Sequence, residues 1–361
     1  MKERRDRIRA RLETAGADAL LVTKPVNVRY LTGYSGSNGQ LIVGSEDVFM
    51  TDGRYEEQSR HEVPDIRREI YGVSEKQIGE SAGMYGTVAS IASGMKIGNL
   101  GVEAGHMTLE MARTLRETTP DVDLVETNDE VETLRAVKDD REIAALRRAF
   151  AAADEALSAL LDQLKEGMTE IDLAAILEFE MRRAGSEGVS FDTIAAFGEQ
   201  AAEPHHRPNA RALKRGDMIK VDFGAMADGY HSDMTRVIAF GEPSSEMLAI
   251  YALVKAANQA GLDTVRAGLT SGAVDDAARS YVRSQGYDYG HGTGHGVGLE
   301  IHESPPVRHG ATTLMEDGMV LTVEPGIYIP GTGGVRIEDT VIVRPDGCDI
   351  LTGSTKELVI I

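Results

Sequence analysis

The chain has 361 residues, 42% of them hydrophobic and 27% charged, with a formal net charge of −20. That length suits two domains with sizeable cores, and the charge excludes nucleic acid or an anionic membrane as the main partner, since neither would be neutralised. A single cysteine, Cys348, excludes an internal disulfide and gives no sign of an oxidising compartment.

In chain order, "MKERRDRIRARLETAG" sets Ile8, Leu12 and Ala15 at helical spacing among charges and predicts an amphipathic helix. It lacks the apolar stretch of a signal peptide. No run approaches the roughly 20 apolar residues that span a bilayer, so a cytoplasmic protein without a membrane partner is expected. "ADALLVT" and "GQLIVG" read as buried strands, "TDGRYEEQS" as a turn leading into a helix, and "MTLEMARTLRET" as another amphipathic helix. This alternation predicts an α/β domain over residues 1–132, with no dense set of metal-ligand residues. The second domain is expected over 133–361. It opens with a long helix from near Asp139, whose apolar face carries Ile143, Leu146, Phe150, Leu157, Leu160 and Leu164. A second helix starts at Thr169, with Asp172 placed for a reciprocal cap. From Val189 the chain turns rich in strand patterns and glycine, and helices return at about 245–266 and 271–285.

The chemistry-bearing residues lie in this second domain. Ile219–Phe240 predicts a hairpin, two strand-like runs around the turn signal Asp228-Gly229. Any even-length loop puts Asp222 and Asp233 on the same face of that hairpin. Two carboxylates so close are unfavourable without a cation between them; the alternative is two separate, solvated turn carboxylates. "MVLTVEPGIYIPGTGGVRIEDTVIV" reads as two apolar strands around "PGTGG", with Glu324 in the first and Glu338 in the second. An unpaired charge in such strands is costly to bury. A salt bridge to Arg336 would account for Glu338, and Glu324 before Pro325 could simply end its strand. "HGTGHGVGLEIHE" (His291–Glu303) sets three histidines among four glycines. Each glycine would cost a helix about 1 kcal/mol, so the stretch reads as a tight loop, with Val297, Leu299 and Ile301 continuing it as a strand. Four carboxylates and an imidazole suit Mn, Co, Fe or Zn, and they are too many for one small ion with an open position, so two ions fit better. In "AEPHHRPN", His205 and His206 lie between prolines, and His206 is expected to be a surface-loop histidine.

These motifs carry a resemblance. His291–Glu303, "VDFGA…GYHSDMTR", "VEPGIYIP" and "GGVRIEDT" are similar, in order and spacing, to the pita-bread metallopeptidases that act at proline, aminopeptidase P and prolidase (Xaa-Pro dipeptidase). "VRYLTGYSGSNGQLIV" and "FMTDGRYEEQ" resemble that family's amino-terminal domain. The resemblance implies an α+β pita-bread catalytic domain behind a smaller creatinase/prolidase-type α/β domain. It also implies two divalent ions per subunit, manganese first, with cobalt, zinc or iron as alternatives. By position, Asp222 would chelate one ion, Asp233 and Glu338 would bridge, and His295 and Glu324 would hold the second ion. Glu324 would also take the proton of the attacking water. His205 and His302 would contact the scissile amide, His291 would line the pocket, Arg336 would support the bridging carboxylate, and Thr235 would back the site. Xaa-Pro peptides or dipeptides would be the substrates and a homodimer or larger homo-oligomer the assembly. Creatinase-like or non-catalytic relatives of the fold and methionine aminopeptidase are the alternatives; the first two would lack the ligand set, and the third usually lacks this kind of amino-terminal domain.

Overall fold

The computed structural model describes residues 1–72 and 83–361. The chain divides into two compact units, Met1–Arg135 and Ala136–Ile361.

The first unit is built on a mixed six-stranded sheet. Its strands are β1 (Ala19–Val22), β2 (Gln40–Val43), β3 (Asp47–Asp52), β4 (Arg67–Tyr71), β5 (Asn99–Glu103) and β6 (Asp123–Thr127), in the order β4-β3-β2-β1-β5-β6. β1 runs antiparallel to β2 and parallel to β5. The helices are α1 (Lys2–Ala15), α2 (Pro25–Thr32), α3 (Glu56–Glu62), α4 (Met84–Met95) and α5 (Leu109–Thr118), with α6 (Glu130–Ala136) at the unit's end. Leu21, Ile42, Met50 and Leu100 of the sheet pack against Val88 and Ile91 of α4 and Leu115 of α5. Helix α2 follows the rule of proline at the start and glycine past the end, with Gly33 left-handed at φ 85°.

The second unit opens with α7 (Asp140–Leu161) and α8 (Glu170–Arg183). Asp139 with Glu142, and Thr169 with Asp172, form reciprocal capping boxes that satisfy the first free N–H groups of each helix. Leu164 lies past the end of α7 and packs as a partly buried side chain. Then come β7 (Ile194–Phe197), β8 (Met218–Phe223), β9 (Met226–Ala227), β10 (Tyr230–His231), β11 (Met234–Ala239), α9 (Ser245–Leu262) and α10 (Ser271–Ser284). The remaining strands are β12 (Gly294–Gly296), β13 (Glu303–Val307), β14 (Val320–Val323), β15 (Gly326–Ile329), β16 (Gly333–Arg336), β17 (Asp339–Arg344), β18 (Gly347–Ile350) and β19 (Val359–Ile360). They form a four-stranded sheet, β19-β11-β8-β7, a five-stranded sheet, β13-β12-β14-β17-β18, and the short pairs β9–β10 and β15–β16. Leu157, Leu160, Leu173 and Leu177 of α7 and α8 cover the first sheet, and Leu262 at the end of α9 and Val274 of α10 pack against the second.

Three hairpins set the site. In the first, Asp228 and Gly229 both take positive φ, 51° and 75°, as a two-residue type I′ turn requires. Asp222 pairs with Thr235, which sets Asp233, two residues back, diagonally across on the same face. The second departs from the sequence reading. "MVLTVEPGIYIPGTGGVRIEDTVIV" forms four strands, not two, because the ladder changes sheet midway. Val323 pairs with Asp339 in the large sheet, and Gly326 pairs with Arg336 in the small one. The register is continuous, so Glu324 and Glu338 fall opposite each other at the break. Their backbone N–H groups go elsewhere, to Thr293 O (2.8 Å) and Thr235 O (3.2 Å).

The third hairpin also corrects the sequence reading. Residues 297–302 are not strand. Gly296 pairs with Glu303, which makes 297–302 the connection between β12 and β13, closed by Gly298 N–H donating to Glu300 O (3.1 Å). Val297 and Leu299 alternate because the connection packs them inward, where they are buried.

Candidate active site

The site lies where the two larger sheets of the second unit meet. Thr340 Oγ1 donates to Asp233 O (2.9 Å), and this bond, with that from Glu338 N–H to Thr235 O, stitches β17 to β11. Asp222, Asp233 and Glu338 are buried at 8%, 5% and 1% exposure, and each brings a carboxylate oxygen within 4.8 Å of the others. Glu324 and His295 complete the group. His295 Nε2 is 3.5 Å from both Asp233 Oδ2 and Glu324 Oε1.

Such a cluster is electrostatically unhappy on its own. Burial, then Glu338, Asp222 and Glu324, hold the Asp233 carboxyl well above the usual carboxylate range. Burial, then Glu324 and Asp222, do the same to Glu338, and burial raises Glu324. Burial lowers the imidazoles of His291, His295 and His302, which keeps them neutral and fit to ligate or to donate one hydrogen bond. Asp222 Oδ1 and Glu338 Oε1 are buried with no hydrogen-bond partner. Buried carboxylates clustered this closely, with oxygens left unpartnered, are the donor set of a hard divalent cation, so the residues present fit such a group. A second cluster, Asp275, Asp276 and His309, differs: Asp276 and His309 are exposed, and Asp275 is already held by Arg279 and Thr293.

The glycines of His291–Glu303 now have a physical account. A Cβ on Gly294 would lie 2.1 Å from Thr322 O, one on Gly296 2.2 Å from Ser304 O, and one on Gly298 2.6 Å from the Glu303 carboxylate. At Gly294 and Gly296 backbone therefore lies directly against backbone. That approach lets Thr322 Oγ1 accept from His295 N–H (3.0 Å) while donating to Glu324 Oε1 (3.3 Å). Because β12 and β13 reverse over Gly296 and Glu303, the His295 and His302 rings come within 4.3 Å.

The cluster opens into a pocket of about 740 Å³, lined also by His205, His291, His302 and Arg336, with Phe191 and Ile194 on its apolar side. His205 and His302 are exposed. All the residues singled out by the resemblance thus come together, but Arg336 and, outside that set, His206 behave differently from the expectation. Arg336 reaches Glu338 only through Thr235, whose Oγ1 accepts from Arg336 Nε (3.0 Å) and donates to Glu338 Oε2 (2.8 Å). Its direct carboxylate partners are Asp222 and, at 3.8 Å, Glu324. His206 is not a surface histidine. It is 5% exposed and bonds Glu203 (2.7 Å) and the buried Glu170 at the start of α8 (2.8 Å).

Sequence reading passed over several residues that shape the pocket. Tyr328 hydroxyl sits 3.0 Å from both His291 Nε2 and Arg336 Nη1. Asp275 and Arg279, one helical turn apart on α10, clamp the glycine loop. Asp275 Oδ1 accepts from Thr293 N–H (3.0 Å) and Oγ1 (2.7 Å), and Arg279 donates to Tyr289 O and His291 O, both at 2.7 Å. Lys220 is fully buried within β8; burial, then Arg336, lowers its ammonium to about 7. A lysine two residues before Asp222, in a strand whose other residues are apolar, was the available signal. The Asp275–Arg279 spacing is too common on helices to have been one.

Comparison with known proteins agrees with this geometry. Residues 144–345 match the metallopeptidase family M24, and residues 4–137 match the creatinase/prolidase N-terminal domain. The chain is 34% identical over 360 residues to a Xaa-Pro dipeptidase of Pyrococcus furiosus, covering 99% of this chain and 100% of that one. An uncharacterised peptidase of Bacillus subtilis is 38% identical over 349 residues, 96% of each chain. Among solved structures, a Xaa-Pro dipeptidase from Bacillus anthracis superimposes with a TM-score of 0.94 at 37% identity, covering 100% of this chain and 99% of that one. An X-Pro aminopeptidase from Thermotoga maritima gives 0.89 at 33%, covering 97% and 100%. With its creatinase-type N-terminal domain, its pita-bread catalytic domain and a buried carboxylate–imidazole cluster fit for divalent metal, the chain belongs to the metallopeptidase family M24.

Proposed function

We propose that this peptidase hydrolyses the Xaa-Pro bond in dipeptides or at the amino terminus of short peptides, using two divalent ions, with manganese the first candidate. The observation that carries the reading is the buried cluster of Asp222, Asp233 and Glu338, with an unpartnered carboxylate oxygen on both Asp222 and Glu338, in a pocket that also holds exposed imidazoles. The substrate class follows the names of relatives aligned over nearly the whole chain. Asp222, Asp233, His295, Glu324 and Glu338 would hold the ions. When bound, such ions acidify water and polarise a carbonyl.

The residues of the chain divide the remaining work. Glu324 accepts a proton from the attacking water as the new C–O bond forms. His205 and His302 donate to the carbonyl oxygen as negative charge develops on it. As the C–N bond breaks, Glu324 returns the proton to the prolyl nitrogen. His291, held by Tyr328, lines the pocket for substrate or leaving proline, while Arg336 fixes Asp222 directly and Glu338 through Thr235.

The test is hydrolysis of Ala-Pro, Ala-Pro-Ala and Met-Ala by metal-free protein with manganese, cobalt or zinc restored singly. Cleavage of either prolyl peptide, with Met-Ala untouched, is expected. Preference for Met-Ala, or no cleavage with any ion, would overturn the reading. A cytoplasmic homo-oligomer, most simply a dimer, completes the proposal. The lone cysteine agrees with a reducing compartment, and the exposed Ile171 and Phe179, two turns apart on α8, offer an apolar face to a second copy. Light scattering on the purified protein tests the assembly.

A further inference from the structure

β8 reads Met-Ile-Lys-Val-Asp-Phe, and all six residues are buried. Lys220 is completely inaccessible. A buried ammonium is tolerated only where its donors are answered. Here they are answered by main chain: Nζ donates to Ala201 O (3.1 Å), Glu203 O (2.5 Å) and Pro204 O (3.4 Å). Those carbonyls belong to the segment that leads directly into His205. Arg336 Nη1 adds a bond to Pro204 O (3.2 Å), and the Tyr328 ring centroid lies 5.3 Å from Nζ.

The placement follows from strand geometry. Alternate residues of a strand share a face, so Lys220 leaves β8 on the same side as Asp222. One strand thus carries a carboxylate of the cluster and, two residues earlier, the anchor of the loop opposite it. The loop has little regular structure of its own. After a short 3-10 turn at Gly198–Ala202, the chain from Glu203 to Arg211 forms no helix or strand. A compact ammonium with three donors suits converging carbonyls, whereas an apolar side chain of the same size would leave them unanswered.

We propose that Lys220 is a positioning residue for catalysis: it gathers the carbonyls of residues 201–204 and so sets the His205 imidazole over the reacting carbonyl. The proposal rests on the reading of His205 as a transition-state donor.

The test is a cycle of Lys220→Met, His205→Ala and the double variant in the full-length, metal-restored enzyme, with Ala-Pro as probe substrate. Metal content and melting temperature are read alongside kcat and KM. Misplacing a catalytic group by about 1 Å can cost on the order of a hundredfold. Lys220→Met should therefore lower kcat by about ten- to a hundredfold, with KM and metal content near the parent's. In the His205→Ala background it should lower kcat no further, because the group it positions is gone. Lys220→Gln, which keeps an N–H donor, should recover part of the loss. If Lys220→Met does not fold, Lys220→Gln takes its place in the same cycle. Multiplicative effects in the double variant, a loss tracking metal content, or a Lys220→Met enzyme with parental kcat would each overturn the proposal. A His205→Ala enzyme with parental kcat would instead overturn the reading of His205, and this assignment with it.

Discussion

Asp233 faces the carboxylates of Glu338, Asp222 and Glu324 and is only 5% exposed. A carboxylate so surrounded keeps its charge only beside a cation. Asp233→Asn should therefore lose bound metal and activity together, as metal analysis and Ala-Pro turnover on the same preparation would show; near-parental turnover with full metal content would remove Asp233 from the ligand set. His302→Ala should part the two readouts. His302 is exposed in the pocket and stacks edge-on against His295, so metal should remain while kcat falls by about 10²–10³, the usual cost of one transition-state donor. A missing ion in this variant would mean that His295 and His302 had been assigned the wrong way round.

The elements that hold these residues are tied down from behind. Asp275 and Arg279 of α10 form a buried ion pair (2.8 Å) beneath the glycine loop. Removing one member of such a pair typically costs about 3–5 kcal/mol, so Asp275→Asn should melt well below the parent. Burial works against the Asp275 charge, but the bonds from Arg279 and Thr293 outweigh it and hold the carboxyl below its usual range. A lowered native pKa gives stability that is present above the unfolded value and lost as pH falls through the native one. The melting gap between parent and variant should thus hold from about pH 5 upward and narrow below about pH 4. A gap that widens in acid would contradict the assignment. The sequence made the β8–β11 hairpin legible because turn type and strand parity are local rules, with Asp228-Gly229 fixing the register of Asp222 and Asp233. It did not reveal that Glu324 and Glu338 sit where one ladder passes between two sheets, since a change of sheet leaves no mark in alternation. Nor did it separate buried His206 from exposed His205, because the difference is made by Glu170, 36 residues away.

At the scale of the whole molecule, the carboxylates and imidazoles of the site all belong to the second unit, and that unit begins before its first long helix. Val137 bridges Met319, and Lys138 N–H donates to Gly318 O (3.0 Å). Lys138 Nζ pairs with Glu303 at 3.2 Å, their side chains only 1% and 5% exposed. Glu303 is also the residue that turns β13 back against Gly296 and its own carboxylate toward Glu300 N–H (3.1 Å), so the pair lies close behind His302. A fragment of residues 136–361 should fold and hold divalent metal. A fragment of residues 139–361 keeps every candidate ligand yet leaves Glu303 without its lysine, and should be less stable by about 3 kcal/mol or more. Urea denaturation of the two fragments, with metal content measured in parallel, tests this. Equal midpoints would show that residues 136–138 add nothing. A folded 136–361 fragment that retains no metal would show that the first unit is needed to assemble the site, and that chemistry and amino-terminal domain cannot be separated at this boundary.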